Sequence, residues 1–337
     1  MAGLVPAIPI RLARCRPKRD ARVKPAHDDG ELSSDALMRI RIPDGIRDAV
    51  VGNLAVGLIK LVRLTDPHKM SDFAGWVMRK IGPKLREHRI GRANLVAAFP
   101  EKSPEDIETI LAGVWDNLGR IGIEFAHLDR IWDHDPNNRG KSHIDFSPES
   151  EERFIRLRDD GKPALIFAAH LGNWEMPALP GAAHGLPSAV LYRAPNIGAV
   201  ADMVLKTRGV NMGRLIKTGL DAPVKAADAL AEGLHVGMLV DQYYVRGVPV
   251  TFFGRQTNAN PLIARLARQV DCPIHGVRVI RKPNRRFFAE LTEEVPPVRD
   301  AEGKIDITGT MQAITDVVEA WVRETPEQWL WLHRRWR

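Results

Sequence analysis

Ala164-Leu165-Ile166-Phe167-Ala168-Ala169-His170-Leu171-Gly172-Asn173-Trp174-Glu175 is the stretch on which the fold turns. Its first six residues form a short, continuously apolar run, the pattern of a strand buried on both faces of a sheet. At the carboxyl end of that strand, where open α/β sheets present their ligand sites, stands a histidine. Gly172 lets the chain turn, and Glu175 follows five positions after His170. That spacing allows the loop to fold back and set the carboxylate against one imidazole nitrogen, leaving the other facing a cleft as a base. A paired carboxylate fixes the tautomer and stabilises the imidazolium that forms on proton uptake. No serine or cysteine lies in the string to act as nucleophile, and no G-x-S-x-G elbow is present. The attacking group is then the substrate's own hydroxyl. The plain alternative is a histidine with a structural role, common at strand ends, and spacing alone leaves it open.

Working outward, further apolar strands are predicted at Ala189–Tyr192, Val236–Val240, Ile274–Ile280 and Phe287–Leu291, with helical patterns around 197–208, 222–232 and 261–269. Strands alternating with helices predict an α/β domain with a mixed, largely parallel central sheet flanked by helices. Upstream, Ser103-Pro104-Glu105-Asp106 reads as a helix start, with a hydroxyl cap, proline at the first helical position and acids near the N-terminus. Ile107, Leu111, Val114, Leu118, Ile121, Phe125 and Leu128 then recur at helical spacing. Ser147-Pro148-Glu149 opens a shorter helix ending by Gly161. Thr308–Glu324 is read as a helix, and Thr325-Pro326-Glu327-Gln328 as a capping box leading into a last one.

Residues 46–64, IRDAVVGNLAVGLIKLVRL, are apolar but interrupted by Arg47, Asp48, Asn53 and Lys60. A membrane span needs a run of about 18 or more apolar residues, so an interfacial helix fits better; a helix of the soluble core fits this segment equally well. Residues 1–37 are basic and broken by prolines, a disordered extension, with Met38 an alternative start. The chain thus divides into an extension at 1–37, a helical membrane-associating region at 38–90 and a catalytic domain at 91–337.

Composition limits the function classes. Cys15 and Cys272 are the two cysteines, too few for a disulfide framework or a thiolate metal cluster. With no H-E-x-x-H either, no metal and no cofactor is expected. No cleavable secretory signal is evident, which keeps the active site on the cytoplasmic side. A net charge of +7 asks for an acidic partner: anionic lipid, an acidic carrier protein or nucleic acid. No aromatic residues interleave the basic N-terminal run, which disfavours nucleic acid. The eight tryptophans lean towards a bilayer interface.

The His-x4-Glu string resembles the His-x4-Asp/Glu motif of the lysophospholipid acyltransferase superfamily. More closely, the chain is similar to the late acyltransferases of lipid A biosynthesis, over about Arg79 to Arg337. The blocks that carry this are Arg92-Ala93-Asn94-Leu95 with Ala98-Phe99-Pro100, Trp115-Asp116-Asn117-Leu118-Gly119-Arg120 before Glu124, and Tyr192-Arg193-Ala194-Pro195-Asn196. They continue with Asp241-Gln242, Phe252-Phe253-Gly254 and Trp331-Leu332-His333-Arg334-Arg335-Trp336. The resemblance implies a glycerolipid-acyltransferase-like fold at the inner membrane. It implies an acyl carrier protein thioester as donor and a hydroxyl of a lipid A precursor as acceptor. It makes His170 and Glu175 catalytic, gives Arg193 and Asn196 to the acceptor site and Arg208 to the thioester oxyanion. Asp241 and Gln242 stand at the carboxyl end of another predicted strand, at the border of the same cleft. Asn260-Pro261 departs from the Gly-Pro usual after the Phe-Phe-Gly loop. The glycerol-phosphate branch, with Asn-His-x4-Asp and Phe-Pro-Glu-Gly, fits less well, since Ala169 precedes the histidine here. A basic membrane- or nucleic-acid-binding protein without catalysis is the reading from a different class.

Overall fold

The computed structural model describes residues 44–135, 141–195 and 198–337. The predicted extension at 1–37 lies outside the described residues. The amino-terminal part is helical: α1 (Asp44–Val62), α2 (Pro67–Ile81), α3 (Arg86–Ala98), α4 (Pro104–Phe125) and the single turn α5 (Leu128–Ile131). Asp66 caps α2 through the Lys69 amide. At the start of α4 a reciprocal capping box joins Ser103 and Asp106, with Pro104 in the first turn. Such caps satisfy amides that have no partner within the helix and contribute about 1 kcal/mol each. The apolar stripe of α4 is buried, so this helix belongs to the core.

The sheet follows. Its elements are β1 (Ile144–Phe146), α6 (Pro148–Asp159), β2 (Leu165–Ala168), α7 (Leu179–Ala183), β3 (Ser188–Tyr192), α8 (Gly198–Asn211), β4 (Arg214–Lys217), α9 (Ala222–Ala231) and β5 (His235–Leu239). A hairpin, β6 (Val248–Phe252) and β7 (Arg255–Ala259), precedes α10 (Leu262–Val270), β8 (Ile274–Lys282), β9 (Arg286–Glu294) and α11 (Ile307–Glu324). Seven strands make one sheet in the order β1-β9-β8-β2-β5-β3-β4. Only the β8–β9 pair is antiparallel, so the sheet is mixed and largely parallel.

The five strands read from the sequence are present. Of the ones missed, β1, β4 and β7 are short or polar, and β6 contains Pro249, which reads against a strand. The β6–β7 loop is Phe253-Gly254, both with positive φ (53° and 67°), as a two-residue hairpin turn of matching twist requires. One forecast fails. Thr325 makes no side-chain cap, and 326–328 is a single 3-10 turn. Gln328 instead lies across β8, accepting from the Arg281 amide (2.7 Å) and donating to the Arg281 carbonyl (3.0 Å). A backbone pair left open beside β8 outcompetes the local cap.

The two faces of the central strand differ. Leu165 and Phe167 point into a dry core with α9, α10 and α11, where the Phe167 ring stacks on Trp321 at 5.6 Å. Ile166 and Ala168 point the other way, towards α6 and a cavity.

Candidate active site

Parallel pairing positions the centre of the site. β2 and β5 are neighbours with Ala168 opposite Leu239, so two residues further on His170 and Asp241 leave the sheet side by side. The Asp241 carboxylate accepts from the His170 backbone amide (2.9 Å) and lies 2.8 Å from His170 Nδ1; both side chains are buried. It also accepts from Trp329 Nε1 at 2.7 Å. A carboxylate only accepts, so Nδ1 carries the proton and Nε2 is left with its lone pair. Burial by itself would raise the Asp241 carboxyl. The positive charge that the His170 ring carries once protonated, and the hydrogen bonds from its side chain and backbone, outweigh that and hold it well below the usual carboxylate range. Nε2 has the Gln242 amide nitrogen 3.3 Å away, and the Trp174 ring lies 5.3 Å from the imidazole.

Glu175 does not take the place its spacing suggested. Both its oxygens are held by Arg208 of α8, from Nε at 2.9 Å and Nη2 at 2.7 Å, in a buried bidentate pair. A planar guanidinium matches a carboxylate fork and, once both are buried, outcompetes a single imidazole contact. The residue that meets the imidazole is thus Asp241, read from the sequence only as a cleft border. Arg208 also faces the rings of Phe125 and Tyr192, at 5.6 and 6.0 Å. Its Nη1 is buried without a hydrogen-bond partner among the described residues, as is Trp174 Nε1. Unpaired buried donors are costly in a finished protein, and two beside one cleft await an acceptor.

The turn that carries His170 is braced from three directions. Gly172 has φ +56°, and a Cβ there would come within 2.0 Å of the Val279 carbonyl oxygen, so only glycine fits. Asn117 of α4 donates to the Gly172 and Gln328 carbonyls. Asn173 donates to Glu124 at 2.8 Å, and Glu124 is held in turn by Ser71 and Arg281. Burial alone would raise the Glu124 carboxyl, but the Arg281 guanidinium keeps it ionised. From the third side comes the segment after α11. Leu330 donates to the His170 carbonyl (3.0 Å), Gly172 donates to that of Gln328 (3.0 Å), and Leu171 bridges Trp329. Asn94 donates to the Trp331 and His333 carbonyls, and buried Arg335 reaches Thr257 and the Asn258 carbonyl.

The structure therefore gathers His170, Asp241, Gln242 and, through the cleft wall, Glu175 and Arg208. Arg193 stands apart, exposed in a neighbouring groove of about 750 Å³ with Tyr244 and Arg265. Asn196 lies outside the described residues. Asn260, which departs from the family's glycine, accepts from the Leu262 amide with its side chain as α10 begins. Reading by motif missed Trp329, Trp174, Asn117, Glu124 and Arg281 as parts of the site. Asn117 and Glu124 stood in a quoted block, but nothing local to that helix indicates a partner on a distant loop.

Beside this centre lies a cavity that shares Trp174 with it. Trp174, Glu175, Tyr192 and Arg208 line its side towards the turn that carries His170, and Ile166, Ala168, Val190, Gly237, Leu239 and Val277 line it further along, with Phe154 and Leu157. The centre of a water-sized sphere can occupy about 120 Å³ of it. An apolar slot opening beside a carboxylate-oriented imidazole suits a long hydrocarbon joined to a reactive carbonyl.

Residues 46–337 match the family model described as bacterial lipid A biosynthesis acyltransferase. The chain is 25% identical over 260 residues to the lipid A biosynthesis palmitoleoyltransferase of Escherichia coli K12, covering 75% of this chain and 79% of that protein. The lipid A biosynthesis acyltransferase of Shigella flexneri matches to the same extent. A match spanning most of the chain, together with this site, makes it an acyltransferase that belongs to the bacterial lipid A biosynthesis acyltransferase family.

Proposed function

We propose that the protein moves a fatty acyl group from an acyl carrier protein thioester to a hydroxyl of a lipid A precursor, with His170 as general base and Asp241 as its orienting carboxylate. The observation that carries this is the buried His170–Asp241 pair, with Nδ1 turned to the carboxylate, next to an apolar cavity lined by the neighbouring Trp174. Nε2 takes the proton of the acceptor hydroxyl as its oxygen attacks the thioester carbonyl carbon. The Asp241 carboxylate stabilises the imidazolium. Negative charge gathers on the carbonyl oxygen, and Arg208 Nη1 and Trp174 Nε1 are the unpaired donors on this side of the cavity suited to meet it. When the intermediate collapses the carbon–sulfur bond breaks, and the imidazolium returns its proton to the departing thiolate. No acyl-enzyme forms. Glu175 acts one step removed, by holding Arg208 in place.

The same reading sets the protein on the inner membrane. No helix among the described residues is long and apolar enough to cross a bilayer. Yet α1 and the turn after it expose Leu54, Leu58, Leu61 and Leu64, and α2 adds the stacked pair Phe73 and Trp76. Exposed Lys60, Lys69 and Lys80 lie on the same two helices. Apolar side chains rimmed by lysines suit the headgroup boundary of an anionic bilayer. The 38–90 region is then the membrane-associating one, and the net charge of +7 attracts both membrane and acidic donor.

The test is transfer itself. Purified protein, acyl carrier protein thioester and lipid A precursor in vesicles should yield a precursor heavier by one acyl group by mass spectrometry. His170→Ala should lower the rate by roughly 10²–10⁴-fold. Transfer to a glycerophospholipid in preference to the precursor, or transfer undiminished in His170→Ala, would refute the reading.

A further inference from the structure

Two polar residues that the proposed chemistry does not use also line the cavity, at the strand ends opposite to those that carry His170 and Asp241. Ser188 and His235 open the neighbouring parallel strands β3 and β5 and stand opposite one another in register. Among the described residues neither nitrogen of the His235 ring nor Ser188 Oγ makes a hydrogen bond of normal geometry, the nearest carbonyls to the ring being those of Pro187 and Leu157, although His235 is 97% buried (3% exposed). Burial pushes the His235 ring below its ordinary pKa, and the Pro187 and Leu157 carbonyls oppose this only in part. From Leu239 to His235 is four residues of strand, about 13 Å at the usual rise per residue. Between them Gly237 leaves the slot open: a Cβ there would meet nothing closer than Val190 Cγ2, at 3.8 Å.

We infer that His235, with Ser188, is the polar far end of the acyl slot and sets the length of fatty acyl chain the enzyme prefers. This rests on the reading of the cavity as the acyl slot given above. Methylenes gain by lying along Ile166, Leu239, Val190 and Val277. A terminal methyl pressed onto the ring and hydroxyl gains nothing and bars two buried polar groups from any partner, which is penalised. Preference therefore breaks at the depth of His235. Gly237, halfway along, sets how wide the slot is where the chain passes.

Two variants on one strand should move the preference in opposite directions. His235→Ala removes the polar end and lengthens the slot. Gly237→Val fills it from the side at half depth, and Gly237→Ala does so more mildly, with room for the added carbon. Acyl carrier protein thioesters of increasing chain length are offered in competition, and the relative kcat/KM of each is read by mass spectrometry. Expected is a shift to longer chains in His235→Ala and to shorter chains in Gly237→Val. The change should be about fourfold per methylene, the equivalent of burying one methylene. Thermal stabilisation of each variant by free fatty acids of the same lengths should shift in parallel, a readout that does not depend on turnover. A variant that fails to fold leaves the other, and Gly237→Ala, to decide. Profiles in folded variants that match wild type overturn the inference. Wild-type protein that is stabilised by fatty acids but transfers no acyl chain of any length overturns the proposed function instead, and leaves the slot standing.

Discussion

Among the buried carboxylates around the turn after β2, Glu175 and Asp241 divide in their chemistry. Glu175 sits five residues beyond His170 in the chain, yet it is joined to Arg208 on another element. Asp241 is 71 residues away and meets the imidazole at 2.8 Å. The difference shows what sequence spacing measures. A short loop gives a side chain many possible directions, whereas the register of two parallel strands gives it one. With Ala168 opposite Leu239, the residues two beyond each are brought together by the ladder itself. Asp241 is also held by three N–H groups, two from His170 and one from Trp329, so its position is over-determined. Glu175 serves a cation, and through it the wall of the cleft.

The largest expected effect breaks this comparison if it fails. Asp241→Asn should lower kcat by on the order of 10³–10⁴-fold, because an amide facing Nδ1 favours the wrong tautomer and no longer stabilises the imidazolium. Combined with His170→Ala it should cost little more than His170→Ala alone, as for residues acting as one unit. Glu175→Gln, by contrast, should act on transition-state charge through Arg208 and multiply with the His170 loss. Steady-state rates of the three single and two double variants decide the matter. Near-additive free energies for His170 with Asp241, and a saturated pair of His170 with Glu175, would restore Glu175 as the base's partner.

A second comparison concerns stability. Glu175→Ala leaves the Arg208 guanidinium buried and unpaired, and loss of one partner of such a pair typically costs about 3–5 kcal/mol. Arg208→Met alone strands the carboxylate in the same way. The double variant Glu175→Ala/Arg208→Met should recover much of the loss, since neither charge then remains. Urea denaturation of the three proteins measures this. Asp241→Asn should be milder, because an amide oxygen can still accept from the backbone amide and from Trp329.

Much of the frame was legible in the sequence, and the reasons are physical. Short apolar runs marked the five strands because each is buried in the sheet, and the start of α4 was visible because capping is local. The α1 segment was ambiguous on the same grounds, since its periodicity cannot say which face is covered. In the structure Leu54, Leu58 and Leu61 are exposed while Gly52 is buried. His170 was legible because a histidine ending an apolar strand is chemically conspicuous. Its partner was not, because strand order is set by long-range packing and cannot be read from the run of any one strand. The same holds for Gln328, whose local pattern reads as a cap but whose amide lies across β8. Trp329 and Asn117 act on the turn from 159 residues downstream and 53 upstream of His170, which no motif of short span can hold.

The smallest predicted effect concerns the side of the site away from the cleft. His333 lies near the His170–Asp241 pair and its Nδ1 is 2.6 Å from the Leu330 carbonyl, which fixes the proton on that nitrogen. Burial depresses its pKa to about 4; the Asp241 charge opposes this, while His170 and Arg335 add to it. The folded state therefore takes up this proton less readily than the unfolded chain, whose histidine titrates near 6.5. Between those two values the unfolded state binds more protons, so stability must fall as pH drops from about 6.5 towards 4 and be unaffected by this group above 6.5. The loss due to His333 is at most about 3.4 kcal/mol, and less because the residue is only half-buried. His68, His127, His184 and His235 are depressed as well, with burial the leading cause in each, and act in the same direction. The specific share of His333 is isolated by His333→Gln, which can still donate to Leu330 but does not titrate. Unfolding free energies at pH 7 and pH 5 should differ less in this variant than in wild type. Equal differences would mean that the ring finds a proton acceptor when the site is acidified, and Asp241 is the neighbour placed to be one.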